Sequence, residues 1–278
     1  MCASENDGVG SDEMRNINNR INYELIDGTI VADKSDLKKF NLNNLPSFRS
    51  IGHDTFKGLA VFFDLKGFTP FCDHPDYLST VPKFIDNFQQ WLCTELKHEF
   101  TRGGQKARSD GKILLWNTLP CFGKFTGDGA FFLWSLEEDQ LVAKDHIAIG
   151  NIVYCCYNIY KKYDEFLKKN GHGNSNPPSK LRCGIAIGHV MRINSINDYI
   201  GSCINMAARL QKHFTLTFVV RERGTTINQC FNKKVKKHFV VKSAAVKGYR
   251  DREKVIVVKN EFKLLTKKQQ KQMALIDA

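Results

Sequence analysis

Asp64 follows the apolar run Leu59-Ala60-Val61-Phe62-Phe63 and opens the turn Leu65-Lys66-Gly67-Phe68-Thr69, and Asp128 sits at the tip of Lys124-Phe125-Thr126-Gly127-Asp128-Gly129. Magnesium prefers one or two carboxylates plus substrate oxygens, and two carboxylates that converge can clamp two divalent ions about 4 Å apart. The N–H groups of Gly67, Phe68 and Thr69, at a turn leading into a helix, can form a concavity for phosphate oxygens. Asn205 and Arg209 stand at i and i+4, on one face of a helix. An arginine beside a metal site is suited to charge developing on a phosphoryl group. Lys247, before Gly248, is placed to meet a terminal phosphate. Each feature has a plainer reading when taken alone: a helix-cap aspartate, a hairpin turn, a surface polar pair, a solvated lysine. Their combination favours chemistry on a nucleoside triphosphate.

The elements that must position these groups follow from hydrophobic spacing. Leu59 to Phe63 predicts a central strand buried on both faces. Tyr77 to Phe100 has helical spacing, with Phe84, Ile85, Phe88, Trp91, Leu92 and Leu96 on one side. Cys121 to Trp134 predicts a strand pair folded at Gly127-Asp128-Gly129, and Asp139 to Lys169 a second long helix. Leu181 to Ile187 alternates as a strand, and Val190 to Ile193 is expected to pair back to it across Gly188-His189. A helix from about Gly201 to Lys212 and strands at Thr215–Val220, Lys237–Lys242 and Lys254–Val258 complete the pattern. Helices and strands are interleaved and hairpins supply some pairs, so the class is α+β with a mixed central sheet flanked by helices.

The 278 residues can bury a substantial core. Residues 1–20 read as a disordered tail rich in Asn, Asp, Glu, Gly and Ser. They are followed by an N-terminal extension at 21–57, expected to pack on the main domain or on a partner copy. The main domain, where these candidate site residues lie, is expected to span 58–260 and a C-terminal tail 261–278. No stretch approaches the ~20 apolar residues needed to cross a bilayer, and no signal-peptide core is present, so the expectation is a cytoplasmic protein with no membrane partner. The nine cysteines are odd in number and lack a Cys-x-x-Cys pair, which favours reduced, buried thiols over zinc or a disulfide framework. The net charge of +12 raises nucleic acid as a partner. The lysines are scattered, however, and no aromatic-interleaved basic motif occurs, which argues against that reading.

At this point the chain resembles the class III nucleotidyl cyclases, the family of adenylate and guanylate cyclases. The likeness covers about 58–259 and rests on Phe63 to Thr69, Lys124 to Gly129, Cys183-Gly184-Ile185-Ala186-Ile187-Gly188, Asp198 to Arg209, and Val246-Lys247-Gly248. It implies a ferredoxin-like cyclase fold. It also implies two divalent metal ions, Mg2+ or Mn2+, held by Asp64 and Asp128 with help from the Leu65 carbonyl. Lys124 and Asp198 would read the base edge, Asn205 would orient the ribose, Arg209 would stabilise the transition state and Lys247 would grip the β and γ phosphates. The reaction implied is attack of the ribose 3′-hydroxyl on the α-phosphorus, releasing pyrophosphate and a 3′,5′-cyclic nucleotide. A homodimer with composite sites is implied too, the metal aspartates coming from one protomer and the base-reading and transition-state residues from the other. Two features depart from the family pattern: a longer stretch before Lys124, with 101–120 as the insertion, and His189 after Gly188.

The base is less clearly marked. Lys124 with Asp198 offers the donor and acceptor that adenine needs, yet cytosine presents the same pattern and uracil its reverse. Phe62, Phe125 and Tyr199 are the bulky residues placed to set pocket depth. A catalytic domain with only a short N-terminal extension, the longer segment before Lys124, and Phe131-Phe132-Leu133-Trp134 after the hairpin tip resemble the pyrimidine cyclases of anti-phage (Pycsar) systems. That likeness implies cyclic UMP or cyclic CMP made from UTP or CTP to activate a separate effector. An adenylate cyclase making cyclic AMP is the alternative, and a non-catalytic nucleotide- or nucleic-acid-binding module a remoter one.

Overall fold

The computed structural model describes residues 21–26, 29–47, 55–101, 110–136, 145–171, 176–213 and 216–273. The apolar run at Leu59–Phe63 becomes the middle of strand β3 (Thr55–Lys66). It pairs antiparallel with β6 (Gly129–Ser135) on one edge and β7 (Lys180–Ile193) on the other. Beyond β6 lies β5 (Phe122–Phe125). Beyond β7 come β9 (Phe218–Arg221), parallel to it, then β11 (Glu253–Val258) and β10 (Phe239–Ala244). One parallel pair among antiparallel ones makes the sheet mixed.

Side chains alternate across these strands. Leu59, Val61, Phe63 and Leu65 join the core beneath helices α3 (Tyr77–Phe100) and α4 (Asp145–Asn170). An aromatic cluster binds the two helices together, with the Phe166 ring 5.6 Å from Phe84 and 5.0 Å from Trp91. Ala60, Phe131, Leu133 and Ala186 belong to the core on the opposite face, which α5 (Ser202–Leu210) covers with Cys203, Met206, Ala207 and Leu210. Full burial of a residue such as Met206 or Leu210 contributes about 1.5–3 kcal/mol. The helix can sit this close because β7 carries glycines beneath it. A Cβ on Gly184 would lie 2.1 Å from the Ala207 carbonyl oxygen, and one on Gly188 would lie 3.1 Å from Cys203 Cβ.

That second contact explains where the sequence expectation fails. Gly188-His189 is not a turn; β7 runs unbroken through it from Lys180 to Ile193. The strand that folds back onto Val190–Ile193 is β8 (Asp198–Gly201), reached through a 3-10 turn at Asn194–Ile196. The glycine at 188 makes room for a helix rather than reversing the chain.

The N-terminal segment packs on its own chain. Strands β1 (Tyr23–Ile26) and β2 (Thr29–Asp33), followed by the single turn α1 (Lys34–Leu37), form a three-stranded sheet with β4 (Lys112–Leu115). Ile30, Ala32, Leu37 and Phe40 enter the core under α3 and α4. The described part of the 101–120 insertion is thereby tied to this segment, while 102–109 lies outside the described residues, as does the tail at 1–20. At the other end, the stretch read as a tail from 261 carries most of α8 (Lys259–Leu264) and all of α9 (Lys267–Gln272), and it buries Leu265 and Met273. Two short helices, α6 (Ile227–Cys230) and α7 (Lys233–Lys236), link β9 to β10. All eight cysteines among the described residues are free thiols. Among those residues no helix is long and apolar enough to cross a membrane.

Candidate active site

Strand register brings the two aspartates together. Asp64 lies opposite Gly129 on β6 and opposite Arg182 on β7, and the Leu65 N–H donates to the Asp128 carbonyl at 3.1 Å. A residue's N–H and C=O share one edge of a strand, so the Leu65 carbonyl also faces the 125–129 hairpin. By alternation Asp64 shares the α5 face of the sheet with Phe62. Its residue exposure is 5%, whereas Asp128 is half-buried.

Arg182 meets Asp64 with two donors on a single oxygen: Nε lies 2.7 Å from Oδ2, and Nη2 contacts the same atom. Among the described residues no donor reaches Oδ1. Burial pushes the Asp64 carboxyl above its ordinary range; the Arg182 hydrogen bond and charge oppose this, the Asp128 charge adds to it, and the Lys212 charge opposes it. The donor set therefore fits a hard divalent cation: two carboxylates that repel each other, one with a free oxygen, and a backbone carbonyl beside them. Asp64, Asp128 and Leu65 would hold it.

Next to this pair the chain turns at Gly67, whose φ of 91° is in the left-handed region, and α2 (Phe68–Cys72) begins. The first N–H groups of a helix have no intrahelical acceptor. Those of Phe68 and Thr69 are such groups, and Gly67 and Thr69 are exposed.

Lys124, on β5, closes onto Asp198, at the start of β8, through a direct contact of Nζ with Oδ2. The other Asp198 oxygen accepts the Tyr199 N–H at 2.8 Å. The Lys124–Asp198 pair is thus assembled within one chain from residues far apart in sequence. Of the three bulky candidates, Tyr199 turns away into the core, with its ring edge-on to Phe122 at 5.1 Å and to Phe56 at 5.6 Å. Phe62 is half-buried and stacks on Phe131 at 4.7 Å. Phe125 is also half-buried but packs on the α3–α4 side.

Asn205 and Arg209 are exposed one turn apart on α5. Arg209 Nη1 donates to the Lys247 carbonyl at 2.6 Å, and its guanidinium carbon stands 5.4 Å from the Tyr249 ring centroid. Lys247 is exposed. Among the described residues no hydrogen bond or ion pair joins this group to Asp64 or Asp128, so the site residues form separate clusters within one chain.

Two features elsewhere are distinct from these clusters. Glu95, His98 and Glu99 converge on α3 in a manner that suits a metal, but Lys162 Nζ occupies the place, 2.7 Å from each carboxylate and 3.4 Å from His98 Nδ1. A cavity of about 160 Å³ opens on the α3–α4 side among Trp116, Asn151, Tyr154, Asn158 and Phe231 and contains none of the site residues.

Sequence reasoning passed over Arg182 and Tyr249. The first stood inside a strand pattern with no mark of its partner. The second followed the Lys247-Gly248 pair closely enough to be considered, but an aromatic after a turn has no distinctive signature.

The class that the fold defines is a mixed α+β sheet flanked by helices, the architecture of nucleotidyl cyclase catalytic domains. In particular, the chain is similar to the adenylyl cyclase CyaB from P. aeruginosa, with a TM-score of 0.50 and 16% identity over 74% of this chain and 96% of that one. A bacterial light-regulated adenylyl cyclase is similar at a TM-score of 0.48 and 14% identity, over 76% of this chain and 54% of its own. The catalytic core of a rhodopsin-guanylyl cyclase with converted specificity, bound to ATPalphaS, is similar at 0.45 and 16%, over 74% and 97%. No family model matches the sequence, and no curated protein matches it by sequence.

Proposed function

We propose that the chain is a nucleotidyl cyclase that converts a nucleoside triphosphate into a 3′,5′-cyclic nucleotide and pyrophosphate. The carrying observation is the register that sets Asp64 opposite Gly129, the residue after Asp128, beside the Leu65 carbonyl, while among the described residues no donor reaches Asp64 Oδ1. When bound at these oxygens, Mg2+ or Mn2+ supplies charge neutralisation of the triphosphate and acidification of the ribose hydroxyl. The chain's own groups do the rest. The N–H groups at Gly67, Phe68 and Thr69 hold phosphate oxygens and Lys247 holds the terminal phosphates. Asn205 orients the ribose, and Arg209 faces the charge that develops at phosphorus.

The substrate in this reading is a pyrimidine nucleotide, UTP or CTP. Lys124 and Asp198 supply one donor and one acceptor to the base edge, and the stacked Phe62–Phe131 pair fills space on the same sheet face. The active form is a cytoplasmic homodimer built from the domain at 58–260, with each site completed across the two copies. Cyclic UMP or cyclic CMP then acts on a separate effector in anti-phage signalling. The same Lys–Asp pair also suits adenine, so an adenylate cyclase is the second reading.

Incubation of purified protein with Mn2+ and an equimolar mixture of the four triphosphates, followed by chromatographic identification of products, tests this. Cyclic UMP or cyclic CMP supports the proposal, and cyclic AMP selects the second reading. No cyclic product, with polynucleotide bound at physiological salt, would replace the enzyme with a binding module.

A further inference from the structure

An exposed arginine on a helix ordinarily samples many rotamers, and a transition-state contact needs one of them. Arg209 is held by neutral groups only. Its Nη1 donates to the Lys247 carbonyl at 2.6 Å, and the guanidinium lies 5.4 Å from the Tyr249 ring centroid, within range of a cation–π contact. Among the described residues no carboxylate pairs with it, so its charge is not cancelled by the protein and is available to an anion.

The Tyr249 ring is itself fixed, first by packing on the core that α5 covers, which a phenylalanine ring keeps. Its hydroxyl donates to the Ser202 carbonyl at the first residue of α5, at 3.2 Å. A second guanidinium, Arg221, stands 5.7 Å from the same ring. Arg221 is tied to Glu253 by Nε at 2.9 Å and Nη2 at 2.7 Å, both residues being buried, so its charge is balanced before it reaches Arg209. Between Lys247 and Tyr249, Gly248 has a φ of 83°, and a Cβ there would lie only 2.4 Å from Arg209 Nη1. The turn at 247–249 is therefore a cradle shaped to one guanidinium position.

We infer that Tyr249 is the positioning residue for Arg209, fixing its guanidinium through the ring face while leaving its charge free for the triphosphate. The inference rests on the reading of Arg209 as a transition-state group. It deepens that reading by naming what sets the geometry of the group.

Arginine side-chain NMR on the full-length protein tests the positioning without any turnover. With ¹⁵N-labelled arginine and the Arg209 signal assigned through Arg209→Lys, the Nε–H group should be rigid in wild type and in Tyr249→Phe, which keeps the ring. It should become mobile in Tyr249→Leu. Gly248→Ala, at an exposed turn, should displace the same signal and serves if Tyr249→Leu does not fold. In turnover, Tyr249→Leu should lower kcat about tenfold to a hundredfold with KM within about twofold, Tyr249→Phe should restore it, and the effect should vanish in an Arg209→Lys background. Equal rigidity of Arg209 in wild type and Tyr249→Leu, or an unmoved Arg209 signal in Gly248→Ala, would overturn the inference. So would an undiminished effect of Tyr249→Leu in the Arg209→Lys background. A wild-type protein that turns over no triphosphate would remove the proposed activity but not the positioning, which the NMR comparison still decides.

Discussion

Arg182 donates from Nε to Asp64 Oδ2 at 2.7 Å and adds Nη2 to the same oxygen, so the buried Asp64 carboxylate is held through one oxygen, and among the described residues no donor reaches the other. A carboxylate this enclosed needs a cationic partner, because burial disfavours its charge and Asp128 disfavours it further. Arg182→Met leaves that charge unpaired and should cost about 3 kcal/mol in urea unfolding. Mn2+ should recover part of the loss, since the cation takes over the neutralising role. A loss below about 1 kcal/mol would mean that the pair is solvent-screened and does not organise the site.

Lys124 and Asp198 close on each other, with both side chains partly exposed. Such a pair adds little to stability, and in the proposed enzyme it would read the base edge. Lys124→Ala and Asp198→Ala should each lower kcat/KM for the preferred triphosphate about a hundredfold. Unfolding free energy should stay within about 0.5 kcal/mol of wild type. Unchanged discrimination among the four triphosphates in both variants would take the base edge away from this pair.

Gly184 tests how α5 is seated. A methyl group there meets the Ala207 carbonyl oxygen at 2.1 Å and the Gln211 nitrogen at 2.5 Å, and neither is the end of a flexible side chain. Gly184→Ala should destabilise the protein by about 3 kcal/mol and, by lifting the helix, reduce turnover beyond what the stability loss explains. Full activity with wild-type stability would show that α5 has slack the structure does not display.

His213, just after α5, has its pKa lowered from the ordinary 6.5, first by burial and then by the Arg252 charge. The folded protein disfavours the protonated imidazole relative to the unfolded chain. The unfolded state therefore binds more protons as pH falls below 6.5. The contribution is fully present above that value and is lost as pH drops through the depressed folded value. The Tm of His213→Asn should fall less between about pH 7 and pH 5 than that of wild type. Parallel curves would contradict the assignment.

The parts of this molecule legible in the sequence are those governed by neighbours along the chain. Leu59–Phe63 could only be a doubly buried strand, Tyr77–Phe100 showed its helical period, and Gly127-Asp128-Gly129 showed its hairpin. What escaped depends on register or on close approach. Arg182 meets Asp64 across 118 residues, and only the alignment of β7 with β3 makes them partners. Gly188 resembles a turn residue, but its smallness serves the packing of Cys203, a contact with no local signal. The N-terminal strands give no local sign of which surface they pack on, because their partner, β4, lies in the stretch that reads as an insertion. Tyr199 was placed at the base pocket by its adjacency to Asp198, yet strand alternation turns its ring into the core.

In the proposed enzyme, Asp64 and Asp128 would serve a site whose arginine belongs to a second copy. Asp128→Ala and Arg209→Ala proteins, each inactive alone, should regain cyclase activity when mixed under conditions where heterodimers are demonstrated. The recovered rate should approach about a quarter of wild type, because half the dimers are mixed and each of those has one intact site. Heterodimers that form and remain inactive would contradict it, as would turnover by either variant alone at the wild-type rate.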